Sequence, residues 1–218
     1  MQQRLLKIDI VSDVVCPWCI IGFKQLQHAL EQVGDGVQID LHWHPFELNP
    51  QMPQEGQHLR EHLSQKYGTT LEQSKAARQR LTQIGEDLDF SFRYYDEMRI
   101  YNTFQAHQLL HWAGEQGKQT PLKLALFEAY FTRQEDVSDR GILLSAVGRA
   151  GLDKTQAEIV LQDERYQNTI RSREQDWLNR GVRGVPAFIF DDQYLASGAQ
   201  GQDYFAAAIA EILSKKVA

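Results

Sequence analysis

The sequence predicts an α/β protein in which a block of helices interrupts a small β-sheet. Three observations support this prediction. A strand–helix–strand pattern opens the chain, helical periodicity fills its middle, and two strand patterns return near its end. The length of 218 residues suits one large domain or one domain that carries an insertion. We therefore expect a single α/β core that the chain leaves and later re-enters.

The opening elements are defined by their hydrophobic patterns. Residues 5–11 are apolar and rich in isoleucine, as expected of a buried strand. From residue 17 to about residue 32 the apolar side chains recur at helical spacing, and Pro17 suits a first helical turn, where a missing N–H costs nothing. Residues 37–43 alternate between polar and apolar side chains, which indicates a strand with one buried face.

The middle of the chain, residues 57–180, has a helical pattern in nearly every stretch and no clear strand. Typical start and stop signals separate the candidate helices: Thr120-Pro121 and Ser138-Asp139 resemble starts, whereas Gly117 and Gly151 resemble stops. The sequence predicts helices over residues 69–87, 102–115, 121–131, 139–150, 153–161 and 166–179.

Strand patterns return at residues 187–190 and 193–196, and an amphipathic helix is predicted over residues 202–215. Without the helical block, the order that remains is β-α-β followed by α-β-β-α, a thioredoxin-like layout with helices on both faces of a sheet. We predict an α/β, thioredoxin-like fold with a large α-helical insertion. The predicted division is a thioredoxin-like domain of residues 1–50 plus 166–218 and an inserted helical domain of residues 51–165.

Charge and hydropathy exclude two classes of partner. The formal net charge of −6 gives no electrostatic reason to expect nucleic acid. No apolar run approaches the roughly 20 residues that cross a bilayer, so no membrane is expected either. Residues 1–10 lack the apolar centre of a secretory signal because Lys7 and Asp9 interrupt it. We expect a cytoplasmic protein, in which paired thiols are more often catalytic or metal-binding than structural.

The two cysteines of the chain, Cys16 and Cys19, flank Pro17-Trp18 at the predicted strand-to-helix junction. A dithiol can open and close a disulfide reversibly, and a helix N-terminus favours the attacking thiolate. We expect the Cys16 sulfur to face solvent with a pKa below that of a free thiol, and Cys19 to be more buried. In that arrangement Cys16 attacks a substrate disulfide and Cys19 resolves the mixed disulfide.

The residues around the dithiol leave alternatives open. Pro17 and Trp18 are candidate substrate-binding residues, because their rings control geometry and access at the sulfur. Half of a zinc site is one alternative, with His42 and His44 on one strand face as further ligands. A pair of inert buried cysteines is another. We predict catalytic cysteines and no metal.

The second candidate site is Gly184-Val185-Pro186, where a proline enters a predicted strand after a helix. An ordinary trans proline at a strand start and a cis Val185–Pro186 bond both fit this position. In the cis form, the backbone of Val185 projects beside the dithiol and can pair with an extended substrate as an added strand. Val185 and Pro186 are therefore candidate substrate-binding residues.

Several segments together carry a resemblance to a known family. They are Ser12-Asp13 with Cys16-Pro17-Trp18-Cys19, residues 44–50 (HPFELNP), Asn102-Thr103 with Ala106-His107, residues 125–131 (ALFEAYF), residues 181–188 (GVRGVPAF) and residues 197–200 (SGAQ). From about residue 8 to the last helix, the chain resembles the DsbA-like thioredoxin superfamily. Within that superfamily it is similar to the FrnE-like branch of predicted dithiol–disulfide isomerases.

The resemblance implies a nucleophilic Cys16, a resolving Cys19, a cis Pro186, protein or small-molecule thiol and disulfide substrates, and no required cofactor. Kappa-class glutathione transferases and 2-hydroxychromene-2-carboxylate isomerases, which bind glutathione, belong to the same superfamily. They typically carry serine at the position of Cys16 and lack the second cysteine. A glutathione-dependent isomerase or transferase is the alternative function, with glutathione as a candidate ligand on the Val185 backbone. Redox direction and oligomeric state stay open.

Three further patterns have simpler explanations than catalysis. His58-Leu59-Arg60-Glu61-His62 matches a zinc-protease pattern, but a solvated helix face accounts for it. His107 and His111 share a helix face at metal-binding spacing, although one packed and one exposed histidine is the more economical expectation. Asp13 is either a proton-transfer partner of the dithiol or an acid that ends the strand.

Overall fold

The computed structural model describes residues 4–34 and 36–216 as a mixed helix and strand fold. In chain order the elements are β1 (Arg4–Ser12), α1 (Pro17–Leu30), β2 (Val37–Pro45), β3 (Gln57–His58), α2 (Leu59–Tyr67), α3 (Leu71–Asp87), β4 (Arg99–Ile100), α4 (Phe104–Glu115), α5 (Gln119–Phe127), a π-helical segment (Glu128–Thr132), α6 (Arg140–Arg149), α7 (Lys154–Asp163), α8 (Gln167–Asn179), β5 (Ala187–Phe190), β6 (Tyr194–Ser197) and α9 (Gln202–Lys215).

The central sheet has the strand order β2-β1-β5-β6. β1 runs parallel to β2 and antiparallel to β5, and β6 returns antiparallel to β5. Val11, near the end of β1, pairs with Ala187, the first residue of β5. The chain that leaves β1 and the chain that enters β5 therefore meet at one edge of the sheet. This register brings Cys16 and Pro186 together although they are far apart in sequence.

Helices cover both faces of the sheet. Ile8 and Ile10 of β1 share a buried cluster with α1 and α9, in which the Phe188 ring packs 4.8 Å from the ring of Phe205. The neighbouring residue Val11 points to the opposite face and packs with Trp177 of α8. The alternation of apolar side chains along β1 thus produces the three-layer arrangement that the sequence predicts for its α/β part.

The inserted helices share their hydrophobic core with the sheet. Trp43 of β2 packs between Phe23 of α1, with ring centroids 4.9 Å apart, and Phe127 of α5, with centroids 6.3 Å apart. One cluster of buried side chains runs from α1 through β2 into the inserted helices. The division into residues 1–50 plus 166–218 and residues 51–165 stays a prediction about chain organisation.

The structure confirms the thioredoxin-like fold and corrects two details of the middle segment. The sequence predicts no strand between residues 57 and 180, but β3 and β4 form a short antiparallel pair there. Two residues are too few to show strand alternation, which explains the error. The helix predicted over residues 121–131 is α5, which changes to π-helical geometry at Glu128.

Within residues 4–34 and 36–216, none of the helices combines the length and the apolar character needed to cross a bilayer.

Candidate active site

The dithiol lies at the start of α1, as the sequence predicts. Cys16 is the N-cap residue, Pro17 occupies the first turn, and both cysteines are free thiols. The Cys19 N–H donates to the Cys16 carbonyl at 3.1 Å. Among the described residues no side chain caps this helix, so the positive end of the helix dipole lies next to the sulfurs and favours negative charge there.

The Cys16 side chain is buried, which contradicts the prediction of a solvent-facing sulfur. Cys16 is 4% exposed and Cys19 is 0% exposed, so the predicted order of burial is correct. The hydrogen bond that Cys16 shares with Cys19, together with burial, raises the pKa of Cys16 well above its ordinary value. The predicted lowering of this pKa is wrong, because the nearby second sulfur and the loss of solvent outweigh the effect of the helix N-terminus.

The Val185–Pro186 peptide bond is cis, as one of the two sequence hypotheses requires. The Cys16 Sγ lies 3.7 Å from the Val185 carbonyl oxygen and donates to it. Helix α1 also approaches β5 closely: a Cβ on Gly22 would lie 2.9 Å from Cζ of the buried Phe188 ring, so a larger residue there requires that ring to shift. The structure thus brings Cys16, Cys19, Val185 and Pro186 into one site.

A cavity of about 340 Å³ opens beside Cys16. Pro17, Trp18 and Val185 contribute to its lining, and Trp18, which is 40% exposed, stands at its rim. Helices α2 and α3 form much of the opposite wall. Cys16 lines the cavity whereas Cys19 does not, which supports an attacking role for Cys16 and a resolving role for Cys19.

A buried polar cluster lies behind the dithiol. The Asp13 carboxylate accepts the Leu48 N–H at 2.8 Å, and its other oxygen lies 3.3 Å from His107 Nε2. Burial disfavours the charged form of Asp13, but the neighbouring His107 and the Leu48 N–H outweigh it and lower the pKa of this acid. Asp13 is therefore a buried carboxylate three residues before Cys16, and it contacts two distant parts of the chain as well as following β1.

Lys123 of α5 is a buried cation that sequence patterns did not reveal. It is 1% exposed, its ammonium lies 3.5 Å from the Ser12 carbonyl, and the rings of Trp43 and Phe127 lie 5.4 and 5.0 Å away. Burial lowers the pKa of Lys123 to about 8, although Cys19 and Asp13 act in the opposite direction. The dithiol thus has a positive charge behind it at neutral pH.

The buried lysine predicts a pH dependence of stability. An unfolded lysine titrates near 10.5, so between about pH 8 and 10.5 the unfolded chain binds more protons at this site and stability rises with pH. The rise amounts to about 3 kcal/mol for this shift. We expect the Lys123→Met variant to lack this rise in stability with pH. Urea unfolding from pH 7 to 10, in a Cys16→Ser and Cys19→Ser background that removes thiol titration, measures the difference; parallel pH profiles contradict the prediction.

The histidines of the other candidate sites are occupied by protein partners. His42 Nε2 lies 2.8 Å from Asp40 Oδ1, and His44 Nε2 lies 2.6 Å from Asp9 Oδ1, so β2 directs neither toward the dithiol. His58 accepts the Arg60 N–H as the N-cap of α2. Among the described residues, no three histidine, cysteine, aspartate or glutamate side chains lie where they could hold a metal ion.

The solvated helix face expected for residues 58–62 is wrong at His62, which is buried because α2 packs this side chain against the cavity. His62 of α2 lines the cavity beside Cys16, and its Nδ1 lies 2.8 Å from the Gln57 side-chain oxygen. His107 is buried beside Asp13, whereas His111 is partly exposed and lies 3.7 Å from Glu115. One packed and one more exposed histidine is what the simpler hypothesis expects.

Comparisons with known proteins agree with this geometry. A family model described as a DSBA-like thioredoxin domain matches residues 7–210. The solved structure of a probable DsbA oxidoreductase from Streptomyces coelicolor is 29% identical, with a TM-score of 0.88 over 96% of this chain and 90% of that chain.

Two more distant structures share the fold. The cytosolic disulfide reductase DsbM from Pseudomonas aeruginosa, solved with GSH, is 17% identical, with a TM-score of 0.64 over 95% of this chain and 99% of that one. A 2-hydroxychromene-2-carboxylate isomerase is 12% identical, with a TM-score of 0.72 over 97% of this chain and 98% of that one. The family match spans all the central strands and the dithiol. The chain therefore belongs to the DSBA-like thioredoxin domain family.

Proposed function

We propose that this protein is a thiol–disulfide oxidoreductase in which Cys16 attacks the substrate and Cys19 resolves the intermediate. The observation that carries the proposal is the position of the Cys16 sulfur, at the N-terminus of α1 and at the wall of a cavity, with Cys19 in the first turn of the same helix. Family membership and the similarity to a probable DsbA oxidoreductase support the same class of reaction.

The reaction proceeds in two exchanges. The Cys16 thiolate attacks one sulfur of a disulfide, so that a bond from Cys16 forms, the substrate S–S bond breaks and one thiolate leaves. Cys19 then attacks Cys16 and releases the second thiolate. The substrate gains two electrons and the protein becomes the Cys16–Cys19 disulfide. Cys16 attacks as the thiolate, and the Lys123 cation behind the dithiol favours that negative charge.

We extend the proposal to the protein's setting. It acts in the cytoplasm, belongs to the FrnE-like isomerase branch and needs no cofactor. Glutathione, anchored on the Val185 backbone, is a thiol that can reduce the Cys16–Cys19 disulfide again. The similarity to a cytosolic disulfide reductase solved with GSH supports the cytoplasmic setting and the role of glutathione, and the Val185 carbonyl beside the Cys16 sulfur supports the anchor.

A redox titration tests the proposed function. The protein is equilibrated in buffers of reduced and oxidised glutathione, its free thiols are alkylated and the products are weighed by mass spectrometry. We expect one two-electron transition in which both cysteines lose their reactivity together as the intramolecular disulfide forms. Two thiols that stay alkylatable in every buffer, or a cysteine pair that accumulates only as stable glutathione adducts, contradict the proposal.

A glutathione-dependent isomerase or transferase is the second candidate. The fold similarity to 2-hydroxychromene-2-carboxylate isomerase and the cavity beside Cys16 favour it. Such an enzyme activates bound glutathione and has no need for Cys19, whereas the proposed exchange requires it. Isomerase activity with glutathione that survives Cys19→Ser supports this second candidate, and a loss of all activity in that variant supports dithiol exchange.

A further inference from the structure

The cavity beside Cys16 is lined by matching faces of two inserted helices. Leu59, His62 and Leu63 recur at helical spacing on α2 and point into it. Ser74, Arg78 and Leu81 do the same on α3. Aromatic rings of Tyr130 and Phe131 close the far side, so most of the wall is apolar.

Two polar groups in this apolar wall lack protein partners. Arg78 is half-buried, and within the described residues its guanidinium forms no ion pair and no side-chain hydrogen bond. The Tyr94 hydroxyl is buried and has no hydrogen-bond partner among the same residues. Cys16, Arg78 and Tyr94 all line this cavity. The three groups therefore surround one volume.

Unpaired polar groups in an apolar cavity favour a ligand that satisfies them. A guanidinium binds a carboxylate through two parallel hydrogen bonds, and a phenol hydroxyl can donate a third. Leaving a buried donor unpaired costs free energy that such a ligand recovers. The remaining volume, with leucine, methionine and aromatic side chains around it, suits an apolar group next to the reactive sulfur.

We propose that this cavity binds a small-molecule disulfide whose thiol component has an aromatic or similarly bulky apolar body and a carboxylate. The carboxylate pairs with Arg78 and the Tyr94 hydroxyl, the apolar body packs between α2 and α3, and the disulfide meets Cys16. This inference rests on the proposed function and specifies its substrate class. The electrons come from the Cys16–Cys19 dithiol, by the two exchanges given above.

The enclosure of the sulfur favours a small molecule over a folded protein. Cys16 is 4% exposed, and the cavity of about 340 Å³ falls within the size range of small-ligand pockets, roughly 300–1,000 Å³. A disulfide on a folded protein surface would have to enter this cavity to reach a sulfur that is so little exposed. A compact disulfide can enter from the Trp18 rim.

Single-turnover kinetics with matched disulfides test the inference. Reduced protein is mixed with bis(4-carboxybenzyl) disulfide, with the uncharged bis(4-carbamoylbenzyl) disulfide and with 2-hydroxyethyl disulfide, which has no body to fill the cavity. All three release alkyl thiolates, so their intrinsic reactivities are similar. We expect the second-order rate constant to be at least about tenfold higher for the carboxylate than for the amide, which is the discrimination that one buried ion pair can supply.

Variants of α3 give the decisive comparison. We expect Arg78→Met to reduce the carboxylate-to-amide ratio to about one and Arg78→Lys to restore part of it. Arg80→Met, on an exposed position of the same helix outside the cavity, is the matched control and keeps the wild-type ratio. A ratio that Arg78→Met leaves unchanged overturns the inference while reduction of 2-hydroxyethyl disulfide upholds the proposed function. Wild-type protein that reduces none of the three overturns both.

Discussion

Replacing Cys16 with serine is expected to lower the rate of disulfide reduction by about a thousandfold or more, the size of loss seen when a catalytic nucleophile is removed. A hydroxyl is not ionised at neutral pH and does not attack a disulfide sulfur, whereas Cys16 lies at the cavity wall with the α1 N-terminus behind it. Stopped-flow measurement of 2-hydroxyethyl disulfide reduction checks this expectation. A rate within tenfold of wild type contradicts it.

Cys19→Ser is the matched variant, because it removes the second sulfur and leaves the first. The variant should form the mixed disulfide with Cys16 and then stop, since no thiol within reach can resolve it. Mass spectrometry of the acid-quenched reaction detects the trapped adduct. If Cys16→Ser accumulates an adduct on Cys19 instead, the two roles are reversed, which conflicts with the full burial of Cys19.

The second large effect is expected from Asp13→Leu, which should lower the free energy of unfolding by about 3–5 kcal/mol, the usual cost of removing one member of a buried charged group. The Leu48 N–H loses its acceptor at 2.8 Å, His107 loses a carboxylate 3.3 Å from its Nε2, and the buried Lys123 loses a nearby negative charge. The midpoint and slope of urea unfolding at pH 7 measure the change.

Two companion variants separate charge from hydrogen bonding in this cluster. Asp13→Asn keeps an oxygen for the Leu48 N–H and should cost less than Asp13→Leu. The double variant Asp13→Leu with Lys123→Met removes the buried charges together and should recover much of the lost stability, because apolar replacements of whole buried ion clusters are often well tolerated. A double variant that is no more stable than Asp13→Leu alone shows that Lys123 does not depend on Asp13.

Local patterns were sufficient to predict the scaffold of the site. The alternation and helical spacing around Cys16-Pro17-Trp18-Cys19 placed both cysteines at a strand-to-helix junction, and β1 and α1 lie where these patterns put them. The position of Val185-Pro186 before a predicted strand left a trans and a cis bond open, and the placement relative to the dithiol and the family resemblance supported cis. The position of the dithiol therefore depends on neighbours in sequence, which a chain displays directly, whereas the cis bond does not.

The surroundings of the sulfur could not be predicted in the same way. The burial of Cys16 depends on α2, α3 and the Val185 carbonyl, which pack against it from distant parts of the chain. Lys123 appears in an ordinary amphipathic pattern, and nothing in that pattern distinguishes a buried ammonium from a solvated one. Arg78 and Tyr94 share the cavity only because of tertiary packing. For Arg78, the sequence does show helical spacing from Ser74 and Leu81, which places these three residues on one face of α3.

The wider turn at Glu128–Thr132 determines which rings enclose the substrate volume. A π-helical turn contains about one residue more than an α-helical turn, so neighbouring side chains are separated by a smaller rotation than the about 100° of a regular α-helix. The extra residue of a π-helical turn changes this rotation, and here both rings line the cavity. Shortening this turn by one residue would rotate one of the two aromatic side chains away and reshape the space next to the dithiol, with no change to the cysteines themselves.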